Sequence, residues 1–374
     1  MLRNKKAARM HQQPVSRIEF PASNIEHRVS RTRPFIIPIF LPHAGCRHQC
    51  VFCNQVSITG TKQKAVNGDQ IRSQIRQFLR FKNDRRKPVQ ISFFGGNFLG
   101  LKTDEIKFLL DLATKFVRQG HVDSIRFSTR PDTIAPEILD FIAEHPVETV
   151  ELGVQSMDDH VLALARRGHS AADASRAVQL LKEHEFNIGL QMMVGLPGDN
   201  EARSLITAEK IAFLRPDFVR IYPTIVIKNS PLARWYQNGT YAPLSLGEAV
   251  TRVKNLYQFF SRHNIKIIRM GLQASADFED GQTALAGPYH PAFGHLVFSE
   301  IFYDKALAAI ESAGFTSGRL SISVNPRCIS KMRGLNNANI NKLKAQLELD
   351  SVEVMPDSSL AEEELWINRK ALEI

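Results

Sequence analysis

The chain has 374 residues, 43% of them hydrophobic, and a formal net charge of +10, which is length enough for a large core in two or three units, or in one α/β barrel with additions. No apolar run reaches the roughly 18 residues of a membrane span, and the basic start Met1-Leu2-Arg3-Asn4-Lys5-Lys6 lacks the apolar stretch of a signal peptide, so a soluble protein with no membrane partner is expected. Three of the four cysteines share one eight-residue window and Cys328 stands far away, a pattern that makes no disulfide framework and places the chain in a reducing cytoplasm.

Residues 1–33 read as a basic arm, with Arg3, Lys5, Lys6, Arg9, Arg17, Arg28, Arg31 and Arg33 against Glu19 and Glu26. From residue 34, short apolar runs alternate with helical stretches. Strands are predicted over 35–42, 89–95, 124–129, 148–155, 187–194 and 217–227. Helices are predicted over 69–82, 103–118, 135–144, 158–166, 171–185 and 200–214. Alternation of this kind builds a parallel sheet with crossover helices, and the expected fold is an α/β partial (β/α)6 TIM-like barrel with a small C-terminal α+β appendage. A helix over 246–263 and a strand over 265–272 flank the barrel and extend the core to 34–275. Residues 276–374 form the appendage, with a turn-rich segment over 287–295, helices over 296–313 and 337–348, and strands over 320–324 and 351–355.

In such sheets functional groups collect at the carboxyl ends of the strands. After the first strand comes Cys46-Arg47-His48-Gln49-Cys50-Val51-Phe52-Cys53. Thiolates so close together repel and oxidise unless a soft metal centre holds them, and zinc or an iron–sulfur cluster meets that need. His43 and His48 keep zinc in play, since either could complete a tetrahedral site. Gly95-Gly96-Asn97 closes the second strand, Ser128-Thr129-Arg130-Pro131-Asp132 the third, Gly153-Val154-Gln155-Ser156 the fourth and Gly195-Leu196-Pro197-Gly198 the fifth. A stripe of Arg72, Arg76 and Arg80 on a predicted helix runs into Arg85-Arg86-Lys87, and the C-terminal stretch is acidic. An RNA-binding surface and ordinary solvated helix faces both account for this asymmetry.

The cysteine spacing C-x3-C-x2-C after the first strand, Gly-Gly after the second and Gly-Val-Gln after the fourth resemble the radical S-adenosylmethionine (SAM) superfamily. The ordered set Ser128–Asp132, Glu151–Ser156, Arg167-Gly168-His169 and Met192–Pro197 is similar to the branch with the Elongator catalytic subunit and oxygen-independent coproporphyrinogen oxidase. The likeness spans about residues 34–228. It implies that Cys46, Cys50 and Cys53 bind three irons of a [4Fe–4S] cluster and leave the fourth to SAM, whose reductive cleavage yields a 5′-deoxyadenosyl radical. By the same resemblance, Phe52 packs near adenine and the Gly95-Gly96 backbone meets the methionine amino group, with Asn97 where an acidic residue is frequent. Gln155 matches the ribose contact and Arg167 the partner of the SAM carboxylate. Gln191 stands where relatives carry an aspartate for the ribose, and Ser128 replaces an acidic SAM contact.

The resemblance implies an enzyme with a reductant such as ferredoxin or flavodoxin, and with tRNA or another RNA as substrate in the Elongator-like manner. It departs in one respect: the residues after the barrel show no motif of the acetyltransferase domain that accompanies Elongator's radical domain, so acyl transfer by this chain alone is not expected. A small metabolite as substrate, as in coproporphyrinogen oxidase, and a non-catalytic iron–sulfur protein are the alternatives. His290 and His295, in a Tyr-His-Pro setting, could touch substrate or metal but read equally as structural loop histidines. Cys328 reads as an inert thiol. The catalytic group toward substrate and the oligomeric state are not legible.

Overall fold

The computed structural model describes residues 34–41, 45–54, 67–82, 88–273, 278 and 283–369. The basic arm 1–33, His43 and the Arg85-Arg86-Lys87 run lie outside these. The chain divides into two compact units, with the break after Gly294; the sequence-based boundary falls at 275. The difference follows from β9 (Ala284–Ala286), which pairs antiparallel with β7 (Val226–Ile227) and so binds the segment before 294 to the first unit.

The first unit is a sheet of seven parallel strands curled into a half-barrel, in the order β1 (Phe35–Phe40), β2 (Val89–Phe94), β3 (Ser124–Thr129), β4 (Val147–Gln155), β5 (Asn187–Val194), β6 (Phe218–Pro223) and β8 (Lys266–Met270). Six crossovers are covered by α1 (Gly68–Leu79), α2 (Thr103–Arg118), α3 (Pro136–Ala143), α4 (Asp159–Leu164) with α5 (Ala171–Glu183), α6 (Glu201–Phe213), and α7 (Pro231–Gln237) with α8 (Leu246–Arg262). The strand expected to flank the barrel is its seventh member: Lys266–Met270 pairs parallel with β6. The expected strand 217–227 is two. Pro223 ends β6 without an N–H to continue the ladder, Thr224 donates to the Val194 carbonyl at 2.9 Å, and the chain leaves the sheet into β7.

Alternation sorts the strand side chains. Ile91, Phe93, Ile125, Phe127, Val150, Leu152, Ile188, Leu190, Val219 and Ile221 are fully buried apolar positions. The intervening positions are polar and equally buried: Gln90, Ser92, Arg126, Thr149 and Glu151. The helices begin at side-chain caps, Asn67 for α1, Asp158 for α4, Ser170 for α5, Asn200 for α6, Ser230 for α7 and Ser245 for α8, each satisfying amides that a helix start leaves open.

The second unit contains α9 (Phe293–Ser312, which begins at the break), β10 (Gly318–Val324), α10 (Ile329–Arg333), α11 (Ala338–Gln346), β11 (Leu349–Pro356) and β12 (Leu365–Arg369). β10 is central, parallel to β11 and antiparallel to β12. Its core gathers Phe302, Ala306, Ile310, Leu320, Ile322, Val324, Cys328, Met332 and Leu343. Strand β12 escapes the sequence reading because Leu365-Trp366-Ile367 is flanked by charge and too short to stand out. No helix among the described residues is long and apolar enough to cross a membrane.

Candidate active site

At the carboxyl ends of the strands a cavity of about 500 Å³ is lined by the cysteine loop and by the ends of β2, β3, β4 and β5. Cys46, Cys50, Cys53, Phe52, His48, Gly95, Gly96, Ser128, Gln155, Arg167 and Gln191 all face it. Its size is that of a small-molecule or cofactor site. The three thiols share this wall, but among the described residues no three His, Cys, Asp or Glu side chains converge on one point as a set that could hold a metal ion. A cubane takes one thiolate per iron and spreads them over its corners, so convergence on a single point is a demand of zinc rather than of a cluster.

The loop is pinned from several sides. Gly45 has φ +75°, and a Cβ there would collide with the Asn97 carbonyl and the Gly100–Leu101 backbone, so only glycine lets the loop lie against the end of β2. Asn97 donates to the Gly45 carbonyl at 3.0 Å, while its Oδ1 accepts from the Thr129 hydroxyl at 2.7 Å and the Arg130 amide at 3.0 Å. Asn97 is 1% exposed, and its side chain is not among those lining the cavity but works behind the wall. Val51 donates to the Ala165 carbonyl after α4 and accepts from the Leu232 amide in α7, at 3.1 and 2.8 Å. Val51 itself packs with Val161, Ala165, Leu232 and Tyr241.

Two buried arginines stand beside Cys50. Arg167 Nη1 lies 3.0 Å from its Sγ and Arg130 Nη1 lies 3.8 Å away. Arg167 Nη2 also donates to the Gly153 carbonyl, its guanidinium stands over the Phe52 ring at 6.0 Å, and its Nε has no partner. Arg130 grips Asp132 through Nε and Nη2 at 2.9 and 3.2 Å and donates to the Arg167 carbonyl. Burial lifts the Cys46 thiol above its ordinary value and Cys50 adds to this, while Arg130 and Arg167 oppose it.

Beside Gly153, Gln155 closes β4 with φ 65°, an unusual backbone for a residue with a side chain, and accepts from Gln191 Nε2 at 3.2 Å. Glu151, two positions before Gly153 on the same face of β4, lines the cavity deeper in the barrel. Its carboxylate is held by Arg126 Nη2 at 2.6 Å and by Arg220 Nε at 2.6 Å. Arg126 lies over Phe218 and Arg220 over Phe94, and Gly189 leaves the space that Phe218 and Glu151 fill. Sequence reasoning missed this ring, although arginine and glutamate at alternate positions of otherwise buried strands are its signal.

His48 lies against Gly168 and 4.0 Å from Asp132. His290 is elsewhere and accepts from the Ala292 amide at 3.0 Å to shape its own turn. His295 falls in the second unit, in α9, as does Cys328. Arg76 on α1 and Arg80 just past its end are exposed, whereas Arg72 pairs with Asp69 at 2.9 Å.

Two family models match in tandem, the radical SAM superfamily over residues 40–211 and its C-terminal domain over 216–302. Among curated proteins, the uncharacterized protein MJ0486 of Methanocaldococcus jannaschii is 27% identical over 243 residues, 61% of this chain and 72% of that one. The tRNA uridine(34) acetyltransferase of Dehalococcoides mccartyi is 25% identical over 254 residues, 59% of this chain but 55% of the relative. Protein YhcC of Escherichia coli is 26% identical over 198 residues, 52% and 62% of the two chains. The chain thus spans little more than half of the acetyltransferase's length. Among solved structures, the archaeal Elp3 of Methanocaldococcus infernus superposes with a TM-score of 0.59 at 18% identity, over 74% of this chain and 64% of that one, a likeness of fold.

Proposed function

The chain belongs to the radical SAM superfamily, whose members are enzymes that use a [4Fe–4S] cluster and SAM, and on that premise we propose that the cavity at the barrel mouth holds both groups and serves a reaction on tRNA. The residues present fit them. Three thiols of one loop face a cavity of about 500 Å³, and the buried Arg167 Nε points to a missing acceptor that a carboxylate would supply. When bound, the pair supplies one-electron cleavage of the SAM sulfonium bond and a 5′-deoxyadenosyl radical that takes hydrogen from substrate.

The protein's part is holding and orienting. Cys46, Cys50 and Cys53 would ligate three irons. Arg167 would fork onto the SAM carboxylate, a geometry that suits a guanidinium, while its Nη1 stays at Cys50. The backbone at Gly95 and Gly96 leaves room for the methionine amino group. Gln155 and Gln191, already bonded to each other, offer a donor and an acceptor to the ribose, and Phe52 offers adenine a flat face. The observation that carries this reading is that one cavity gathers the three cysteines with Gly95, Gly96, Gln155, Arg167 and Gln191.

The tRNA clause is supported by the exposed Arg76 and Arg80, by the net charge of +10, and by the relative named for tRNA uridine(34). A small acidic reductant such as ferredoxin or flavodoxin suits the same charge, and three clustered cysteines with one distant Cys328 suit a reducing cytoplasm. Anaerobic reconstitution with iron and sulfide, followed by dithionite and SAM, is expected to release 5′-deoxyadenosine; intact SAM alongside a fully loaded cluster rejects the reading. Binding to tRNA is expected to weaken steeply as salt rises, and absence of binding at low salt removes the tRNA clause alone.

A further inference from the structure

The residues expected to touch cluster and SAM leave one buried cation unexplained. Arg130 is 4% exposed and reaches three separate segments. Its Nε and Nη2 hold both oxygens of Asp132 at 2.9 and 3.2 Å, its Nη2 donates to the Arg167 carbonyl, and its Nη1 points at Cys50 Sγ across 3.8 Å. Its own amide is held by Asn97 at 3.0 Å, and Asn97 also holds Gly45 on the cysteine loop. Asp132 in turn stands 4.0 Å from His48 on that loop and 3.9 Å from the buried His169. His169 is neutral, with a pKa lowered to about 4 by burial and by Arg167 and Arg130. One guanidinium therefore joins the end of β3, the cysteine loop and the turn that carries Arg167.

We propose that Arg130 is the positioning residue of the cysteine loop, fixing it against the Arg167 turn and setting a second positive charge beside Cys50 that raises the reduction potential of the cluster. This rests on the cluster reading above. Two physical consequences separate. A planar fork bonded to a carboxylate and a carbonyl restrains direction, which an ammonium does not reproduce. A positive charge near the sulfurs favours the reduced and more negative cluster, whatever group carries it.

Arg130→Gln and Arg130→Lys, reconstituted anaerobically beside the parent chain, test both. The measurements are iron and sulfide per chain, the rate of iron loss to a chelator, and the midpoint potential by electron paramagnetic resonance titration without SAM. Both variants are expected to lose iron at least roughly tenfold faster, as when an outer partner of a metal ligand is removed. Only Arg130→Gln is expected to lower the potential, by a tenfold change in the one-electron equilibrium, about 59 mV; Arg130→Lys keeps the charge and stays near the parent value. Parent-like iron loss and potential in Arg130→Gln overturn the proposal. If that variant does not fold, parent-like iron loss in Arg130→Lys overturns it. A parent chain that takes up no four-iron cluster rejects the cluster reading and this inference with it, whereas a loaded parent with unchanged variants rejects Arg130 alone.

Discussion

Cys50 at the barrel mouth and Cys328 in the second unit are both buried, at 6% and 0% exposure, yet their surroundings differ in kind. Cys50 faces a cavity between the guanidiniums of Arg167 and Arg130. Cys328 sits in an apolar core with Leu320, Ile322, Met332 and Leu343, and its thiol donates to the Glu362 carbonyl at 2.9 Å. Burial holds the Cys328 thiol above its ordinary value, and Glu362 and Glu363 add to this while Lys331 opposes. Burial alone therefore does not identify a working cysteine. What distinguishes Cys50 is open space on one side and two guanidiniums on the other, that of Arg130 also paired with Asp132, an arrangement suited to a metal-bound thiolate.

The contrast breaks most visibly under alanine. Cys50→Ala is expected to remove the cluster and with it all 5′-deoxyadenosine release, measured as iron per chain and by product chromatography. Cys328→Ala is expected to leave both at the parent level and to cost about 1 kcal/mol of stability, as small buried truncations do. Cluster loss in the Cys328 variant would show that the second unit's thiol takes part after all.

The next effect concerns what holds each region internally. The second unit's core is apolar, whereas the barrel lumen buries an ionic ring in which Glu151 serves both Arg126 and Arg220. Removing one member of a buried ion set leaves unpaired charge, so Glu151→Gln is expected to cost roughly 3–5 kcal/mol by denaturant titration. Replacing Glu151 together with Arg126 and Arg220 by apolar residues of similar volume should restore much of it. A Glu151→Gln variant as stable as the parent would mean the ring contributes no net attraction.

Much of the cavity was legible because the ends of the first, second, fourth and fifth strands interrupt apolar runs with cysteine, glycine or glutamine, and the parallel-sheet rule sends those ends to one rim. Arg130 and His169 were not singled out and the side-chain role of Asn97 was not read, since these roles depend on partners distant in sequence: Asn97 on Gly45, 52 residues away, and Arg130 on Cys50 and Arg167, 80 and 37 residues away. The Glu151 ring was missed for a similar reason. Arg126 and Glu151 stand on neighbouring strands, and only strand order places them side by side. The seventh strand was expected over 265–272 but as a flank of the barrel rather than a member of its sheet, because Lys266-Ile267-Ile268-Arg269-Met270 is an edge, with Lys266 and Ile268 exposed, and edges carry charge.

The smallest effect is a slope in pH, and it separates the polar mouth from the apolar core once more. His169 is fully enclosed at its side chain and keeps a pKa of about 4, because burial and the cations Arg167 and Arg130 disfavour its charged form, with Asp132 and the Val154 carbonyl opposing. An unfolded histidine titrates near 6.5. The unfolded chain therefore binds the proton first, so this residue's contribution is intact above pH 6.5 and is lost as pH falls from 6.5 toward 4. The loss is at most about 3.5 kcal/mol, the roughly 2.5 pKa units being worth about 1.4 each. His169→Gln, which can still donate to Val154, is expected to flatten the decline across that window in urea titrations of the cluster-free chain at successive pH values. An unchanged slope would mean that Asp132 compensates the imidazolium, and would place the carboxylate closer to His169 than to Arg130.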